Sequence, residues 1–349
     1  MLSRLSEDPG LVNAFGDLFS KEFTETNSKY AIQKAVMAYE LAAGLTTLDN
    51  TNYVTYVHNA GLALYRLSGL SEKLSDINKA ISMFEVAIAY TSEEDVTYAA
   101  KLDGLGDMLH SHFGYTGELN DIEQAILSQQ KAVELTSEGH TDMPSRLNNL
   151  GRLLQLQFGH TGDLESAIYF YQKVVKLTPK GHKDMPSMLN DLGRSFHLCF
   201  DHTGDLADIE SAISLKQRAI KLTPEGHAKM HSWLNSLGMS FWSCFDHIGD
   251  LAHIESAVSS QQKAVKLTPE EHAYMPTMLN NLGNSFASCF DHTDDLADIE
   301  SAISLQQRAL ELIPKGDTNM PSRLDNLGIS FQSCFVYFTL LHLFQVDST

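Results

Sequence analysis

The chain has 349 residues, a net charge of −19 at pH 7 and a pI of about 5.1. It has no cluster of Lys and Arg that could form a phosphate-binding surface, which argues against nucleic acid as a partner. The N-terminal segment lacks the apolar core of a secretory signal, and the apolar stretch at 334–344 is well short of the roughly 20 residues that span a bilayer. These features predict a cytoplasmic protein without a membrane partner.

Eight glycines and seven alanines divide the chain into units of nearly constant length. The glycines are Gly16, Gly61, Gly106, Gly151, Gly193, Gly238, Gly283 and Gly328, spaced by 45 residues except for one interval of 42. The alanines are Ala35, Ala80, Ala125, Ala167, Ala212, Ala257 and Ala302, each 26 residues before the next glycine. A fixed period of this length predicts a repeat array. The short unit lacks three residues between Gly151 and Ala167, where "FGHTGDLESA" replaces "FDHTGDLADIESA", and we interpret that segment as a loop.

Each unit is predicted to form two helices. Apolar residues recur around the glycine at the spacing of one helical face (helix A), as in Leu189, Leu192, Phe196 and Phe200. A second apolar stripe surrounds the alanine (helix B), as in Ile209, Ala212, Ile213, Ala219 and Ile220. Asp208 is predicted to cap helix B, and Pro224 follows its end. Because one unit cannot bury both stripes alone, the units must stack into an all-α solenoid of seven helix pairs and an eighth helix A.

The pattern of small and apolar residues resembles the tetratricopeptide repeat. The residues that carry the resemblance are Leu189, Leu192, Gly193, Phe196, Ala212, Ala219 and Pro224. The core "LNNLG", the preceding "GH-x-x-MP" and the 45-residue unit are similar to the kinesin-light-chain branch, and to fungal aromatic-di-alanine arrays often found before a CHAT domain. The resemblance implies a right-handed α-solenoid over residues 1–335. The break in the pattern after Phe335 predicts an atypical apolar tail at 336–349.

The repeated segment "FDHTGDLADIE" contains residue types found in metal sites and hydrolases. Its histidine recurs as His160, His202, His247 and His292, and the predicted capping aspartate recurs as Asp76, Asp121, Asp163, Asp208 and Asp298. Equivalent residues lie one repeat apart and cannot converge on one metal ion, so we interpret the histidines as loop residues. Cys199, Cys244, Cys289 and Cys334 are spaced by 45 residues and are predicted to be buried apolar residues. We therefore predict no catalytic residue, no metal and no cofactor, and hence no enzyme.

A polar row stands three residues before each glycine. It contains Asn13, His58, Asp103, Asn148, Asn190, Asn235, Asn280 and Asp325. The resemblance implies that this row faces a concave groove where asparagines hold a peptide backbone, which suits a carboxamide because it both donates and accepts hydrogen bonds. The alternative is that each Asn bonds to the neighbouring helix and fixes the stacking of the repeats. Neighbouring positions predicted to supply specificity are Arg152, Arg194, His197, Trp242 and Asn284, with Trp242 either an aromatic anchor or a half-buried packing residue.

The predicted function is a scaffold that binds a peptide or protein segment in its groove. The alternatives are a regulatory array of a longer fungal CHAT-type signalling protein, truncated here, and a cryptic hydrolase. After Phe335 the sequence leaves the repeat pattern, and Val336, Tyr337, Leu340, Leu341, Leu343 and Phe344 are predicted to extend the last helix with an exposed apolar patch. We interpret this break as truncation, and a native C-terminal helix is the other interpretation.

Overall fold

A computed structural model describes residues 8–161, 164–313 and 316–346, with the backbone alone at 160–161 and 340–346. Within these ranges the chain forms fifteen α-helices and no strand. In chain order they are α1 (Pro9–Thr26), α2 (Lys29–Gly44), α3 (Tyr53–Ser71), α4 (Leu74–Ala89), α5 (Tyr98–Thr116), α6 (Leu119–Glu134), α7 (Met143–Thr161), α8 (Glu165–Leu177), α9 (Met185–Thr203), α10 (Leu206–Leu222), α11 (Met230–Ile248), α12 (Leu251–Leu267), α13 (Met275–Thr293), α14 (Leu296–Glu311) and α15 (Met320–Val346). Odd-numbered helices carry the glycines and even-numbered helices the alanines, so the predicted seven A and B pairs with an eighth helix A are confirmed.

The chain divides into two compact units. Unit 1 comprises residues 1–177 with helices α1–α8, and unit 2 comprises residues 178–349 with helices α9–α15. Within each unit, every helix packs against the helices that precede and follow it in sequence. This is the stacking that the period predicts. The domain boundary predicted at residue 335 falls inside α15 and stays a prediction.

A long side chain of each helix B lies across the glycine of its own helix A. The pairs are Gly16 with Tyr39, Gly61 with Phe84, Gly106 with Gln129, Gly151 with Tyr171, Gly193 with Lys216, Gly238 with Gln261 and Gly283 with Gln306. A Cβ atom at Gly238 would lie 2.5 Å from Cγ of Gln261 and 3.1 Å from the carbonyl oxygen of Ala257. In these seven pairs the repeated glycine is therefore a packing residue, because a side chain at its position would overlap helix B. Gly328 differs, because among the described atoms nothing lies within 4 Å of its Cβ position.

Six of the helices A end at a left-handed residue eleven positions after the glycine. This position is Asn27, Glu72, Gly117, Gly204, Gly249 or Asp294, with φ between 53° and 72°. The left-handed residue stops the helix and turns the chain into helix B. In α15 the same position is Thr339, whose β-branched side chain disfavours that conformation, and the helix continues to Val346. Of the apolar patch predicted here, Val336 is exposed, and the side chains of Leu340, Leu341, Leu343 and Phe344 lie outside the described residues.

The caps of helices B in unit 2 differ from the prediction. Asp205, Asp250 and Asp295 accept hydrogen bonds from the backbone N–H groups two residues on, each at 3.0 Å. Asp208 lies inside the first turn of α10, so the prediction that it caps the helix is wrong. Asp205 and Asp208 both stand at the start of α10, and which of them caps it depends on where the left-handed residue ends helix A. Asp163, the equivalent of Asp208 in the short unit, lies outside the described residues.

The three-residue deletion of the short unit shortens a helix rather than a loop. Helix α7 ends ten residues after Gly151, as α9 does after Gly193. Helix α8, however, begins two residues before its marker alanine, Ala167, whereas α10 begins six residues before Ala212. The deletion therefore shortens helix B by about a turn, and the interpretation of the whole segment as a loop is wrong. The turn can be lost because Leu164, which is buried, stands three residues before Ala167 and takes the place that Ile209 has before Ala212.

The repeated histidines of helix A are packing residues of the last helical turn. His247 packs edge-on against Phe200 at a ring distance of 5.4 Å, and His292 packs in the same way against Phe245 at 4.7 Å. Tyr337 replaces the histidine in α15 and packs against Phe290 at 5.5 Å. The prediction of a loop position is therefore wrong for His202, His247 and His292, which all lie within helices. The side chain of His160 lies outside the described residues.

A second set of histidines organises the turn from helix B to the next helix A. In His140, His182, His227 and His272, Nδ1 accepts the backbone N–H two residues on, at 3.2 or 3.3 Å. Asn50, Asp95 and Asp317 occupy the same repeat position and accept the same bond through a side-chain oxygen. The histidine thus replaces the Asn or Asp of an Asx turn.

The cysteines form no disulfide, but they are not all buried as predicted. Cys244 and Cys289 are buried, whereas Cys199 and Cys334 are half-buried, so the prediction is wrong for these two. Burial raises the pKa of the Cys289 thiol to about 11 and also raises the pKa of Cys244. The two buried thiols are therefore protonated at neutral pH.

Candidate functional site

Unit 2 presents three asparagines of the polar row on successive helices A. Asn190 lies on α9, Asn235 on α11 and Asn280 on α13, each three residues before the glycine. Asn190 and Asn235 are half-buried and Asn280 is buried. Because the glycine of each helix packs on its helix B, the three asparagines occupy equivalent positions on equivalent helices. Asn148, with Arg152 one turn further along α7, belongs to unit 1.

The oxygens of this row bind the next helix A. In unit 2, Asn281 Nδ2 donates to Asn235 Oδ1 and Asn326 Nδ2 donates to Asn280 Oδ1, both at 3.3 Å. Unit 1 repeats the contact from Asn59 to Asn13 at 3.1 Å and from Asn149 to Asp103 at 3.3 Å. The polar row thus holds successive helices A in register, as the stacking alternative predicts. These bonds use the carboxamide oxygen and leave the Nδ2 group of Asn235 and Asn280 for another acceptor.

Asn190 departs from this arrangement. Its Oδ1 is buried and has no hydrogen-bond partner among the described atoms. The reason is the residue on the next helix A, since Ser236 stands where Asn281 and Asn326 stand in the following repeats. In unit 1, the Oδ1 atom of Asn148 is also buried, and no described atom forms a hydrogen bond with it. A buried carbonyl oxygen without a donor costs about 1 to 3 kcal/mol, which an incoming N–H group would recover.

A second ladder lies two turns further along the helices A. His197 Nε2 lies 2.9 Å from Ser243 Oγ, and Trp242 Nε1 donates to Ser288 Oγ at 3.0 Å. In unit 1, Tyr65 and Ser111 make the equivalent contact at 3.0 Å. Trp242 is half-buried, and it packs on the core cluster around Phe245 and Ile254. Its polar atom is therefore already used, while part of its ring remains open to a ligand.

Arg194 and Asn284 complete the set of site residues that the sequence predicts in unit 2. Arg194 is exposed, and Asn284 is half-buried with its Oδ1 accepting from Gln306 Nε2 at 3.0 Å. In unit 1, Arg152 is exposed and lowers the pKa of Asp107, which burial and the nearby Asp103 raise to about 6. The exposed arginines are the groups that could pair with an acidic side chain of a ligand.

Sequence reasoning missed the buried amine of Lys216. Its side chain crosses Gly193, and Nζ donates to Ser240 Oγ at 2.6 Å, to the Ser236 carbonyl oxygen at 3.1 Å and to His197 Nδ1 at 3.3 Å. All three acceptors are uncharged. The repeat pattern could have identified it. The fourth residue after each marker alanine has a long side chain, and Lys216 is the only lysine at that position.

The pKa values of this cluster follow from burial. Burial, with a smaller contribution from Arg194, lowers the pKa of Lys216 to about 7. Burial and the charge of Lys216 lower the pKa of His197 to about 3, so its ring is neutral at pH 7. With Nδ1 accepting from Lys216, the proton of His197 lies on Nε2 and is donated to Ser243. The contact of 3.5 Å between Nε2 and Asp201 is therefore not an ion pair at neutral pH.

Neither a metal centre nor a membrane span emerges from the described part of the chain. In the described ranges, no group of three or more His, Cys, Asp or Glu side chains is placed to hold a metal ion. Likewise, none of the helices traced over those residues is long and apolar enough to cross a bilayer.

The stacked helix pairs, with a glycine in each helix A and two alanines seven residues apart in every helix B except α8, form a helical-repeat fold of the tetratricopeptide type. No family model matches the chain, and no curated protein matches it. Among solved structures, BtubC (BKLC) from P. vanneervenii is 17% identical with a TM-score of 0.49, over 68% of this chain and 91% of that one. YrrB, a TPR protein with an unusual peptide-binding site, is 18% identical with a TM-score of 0.42, over 65% and 96%. Yeast Tom70 is 14% identical with a TM-score of 0.48, over 94% and 59%.

Proposed function

We propose that this chain is a non-catalytic scaffold that binds an extended peptide or protein segment along the polar row of unit 2. The observation that carries the proposal is Asn190, whose buried Oδ1 has no hydrogen-bond partner among the described atoms. The stacking bonds of Asn235 and Asn280 use their Oδ1 atoms, so their Nδ2 groups can donate to a ligand. An extended backbone presents N–H and C=O groups in alternation, and it can therefore donate to Asn190 and accept from the other two.

The neighbouring side chains would contact the side chains of the bound segment and determine which residues it prefers. Arg194 favours an acidic side chain, and the accessible part of the Trp242 ring favours an apolar one. The net charge of −19 favours a protein ligand over nucleic acid, since phosphate binding needs a basic surface. The proposal includes Asn148 and Arg152 of unit 1 as a second, equivalent polar position. A cytoplasmic location remains part of the proposal.

The test is the affinity of a peptide selected from a random 12-residue display library against the full chain. Asn190→Ala is expected to weaken binding about tenfold, which corresponds to one lost hydrogen bond of about 1 to 1.5 kcal/mol. The melting temperature is expected to remain unchanged or to rise, because the substitution removes a buried oxygen that makes no hydrogen bond within the described residues. Fluorescence anisotropy of the labelled peptide measures the affinity.

Asn281→Ala is the matched control. Asn281 donates to Asn235 and lies outside the polar row, so its loss should lower the melting temperature without weakening binding per folded molecule. If Asn190→Ala leaves the affinity unchanged, the polar row does not bind the peptide and the proposal fails.

A further inference from the structure

One charged side chain of unit 2 is buried at the contact between two helix pairs. Lys216 belongs to α10, lies across Gly193 of its own helix A and is 1% exposed. Its Nζ atom reaches the next helix A, α11, where it donates to Ser240 Oγ at 2.6 Å and to the Ser236 carbonyl oxygen at 3.1 Å. Its third contact is His197 Nδ1 of α9 at 3.3 Å. The amine therefore lies where the pair α9–α10 stacks on α11.

The surroundings of the amine do not neutralise its charge. Among the described atoms, each acceptor of Nζ is uncharged, and α11 contributes only a hydroxyl and a carbonyl group. The charged groups that act on Lys216 lie on α9, where Arg194 disfavours its charge and Asp201 favours it, and burial has a larger effect than either. The pKa of His197 is about 3, so this ring is neutral. A buried charge without a close counterion is costly, and the ammonium therefore destabilises this contact.

The equivalent contacts of unit 2 contain no such charge. Gln261 lies across Gly238 and Gln306 lies across Gly283, at the repeat position of Lys216. In a stack of repeats, each helix pair contacts only its neighbours, and a penalty at one contact therefore weakens that contact alone. The lysine thus distinguishes the contact of α9–α10 with α11 from those that follow it.

We infer that Lys216 makes the contact between the pair α9–α10 and α11 a pH-dependent opening point of unit 2. Opening brings the amine into water, where its charge carries no burial penalty, so protonation favours the open form. Without α11 the pair α9–α10 cannot bury both of its apolar stripes, and its backbone amides therefore lose their protection from hydrogen exchange when the contact opens.

Opening of this contact would also regulate the proposed peptide site. Asn190 lies on α9 and Asn235 lies on α11, so a segment that binds both asparagines holds the two helices together. Such a segment binds the closed form only and shifts the equilibrium towards it. This step rests on the proposed function, whereas the opening itself does not.

The direction of the pH dependence follows from the pKa of the lysine in the two forms. Its ordinary value of 10.5 applies to the open form, and burial lowers it to about 7 in the closed form. Between these two values the open form binds more protons. The opening equilibrium constant is therefore expected to rise about tenfold for each unit of falling pH in this interval, and to level off below pH 7.

Hydrogen exchange of the full chain, followed by mass spectrometry at pH 7, 8 and 9, tests the inference. After division by the intrinsic exchange rates, the amides of α9 and α10 are expected to open about tenfold more often per unit of falling pH, whereas those of α13 and α14 should not follow this dependence. Lys216→Gln is expected to abolish the dependence. Lys221→Gln, on the exposed face of the same helix, is the matched control and should preserve it.

A second variant moves the buried amine to the next contact. Gln261→Lys places an amine where Ser285, the counterpart of Ser240, has a buried Oγ without a hydrogen-bond partner among the described atoms. The pH-dependent opening is then expected in α11 and α12 as well. The inference is overturned by exchange of α9 and α10 that does not depend on pH, by a dependence that persists in Lys216→Gln, or by one that α13 and α14 share equally.

A selected display peptide whose affinity depends on Asn190 separates this inference from the proposed function. At 100 times its Kd, the peptide is expected to reduce the opening of α9 and α10 about 100-fold, because it binds the closed form only. If the exchange of α9 and α10 depends on pH and on Lys216 but the peptide does not reduce it, the opening point is supported and binding across α9 and α11 is wrong.

Discussion

Gly238→Leu is expected to destabilise the protein by about 3 kcal/mol, the upper part of the range for overpacking. A Cβ at this position already meets Gln261 Cγ at 2.5 Å and the Ala257 carbonyl oxygen at 3.1 Å. The glutamine can move, but the carbonyl belongs to the backbone of α12 and cannot move without displacing the helix. The midpoint of urea unfolding and the melting temperature, followed by circular dichroism, measure the loss.

The chain contains a matched control for this substitution. Gly328→Leu places the same residue at the same repeat position on a helix where nothing among the described atoms lies within 4 Å. It should leave stability unchanged or raise it slightly, because leucine is a better helix former than glycine. Trp242→Ala should cost less than Gly238→Leu, since the indole is only half-buried. Equal stability of the two glycine variants would contradict the packing role of helix B side chains.

Lys216→Gln is expected to stabilise the protein by on the order of 2 kcal/mol at pH 6, where the buried ammonium is charged. Lys216 is 1% exposed, and glutamine stands at the same position in Gln129, Gln261 and Gln306. The substitution removes a charge that no described acceptor neutralises. It introduces glutamine, the residue that packs across the equivalent glycine in three other helix pairs. Lys221→Gln, on the exposed face of the same helix, is the control and should change little.

The advantage of Lys216→Gln should depend on pH in a defined direction. The ordinary pKa of lysine, 10.5, falls to about 7 in the folded protein, so the unfolded chain binds more protons between these values. The burial penalty is therefore fully present below pH 7 and lost as the pH rises towards 10.5. Melting temperatures of both proteins from pH 6 to pH 10 should converge. A variant less stable than the parent at pH 6 would mean that the amine stabilises this cluster.

The sequence predicts the helix pairs and their stacking because both depend on the period of apolar and small residues. Gly193, Ala212 and their counterparts mark where helices meet, and no other packing buries both stripes of a unit. Helix ends are less well predicted, because Asp205 and Asp208 are both reasonable caps by residue type. The choice between them depends on the left-handed residue Gly204, whose conformation the sequence pattern does not specify.

The candidate site was harder to predict than the fold. The polar row was found from its spacing, but its hydrogen bonds join residues 46 positions apart, such as Asn235 and Asn281. Such pairs form because the stacking places the third residue before the glycine of one unit beside the second residue before the glycine of the next, and the sequence alone does not show this contact. The Oδ1 atom of Asn190 lacks a hydrogen-bond partner among the described atoms because one residue of the following repeat, Ser236, replaces the asparagine found in later repeats.

The most direct test of peptide binding along the polar row is an NMR titration of the full chain labelled with ¹⁵N-asparagine. As a selected peptide is added, the side-chain Nδ2–H signals of Asn190, Asn235 and Asn280 are expected to shift together and to saturate at the affinity measured by anisotropy. Those of Asn281 and Asn326, whose Nδ2 groups bind the preceding helix, should shift less. If the three polar-row signals stay in place while the peptide binds, the ligand lies elsewhere and the proposed function is wrong.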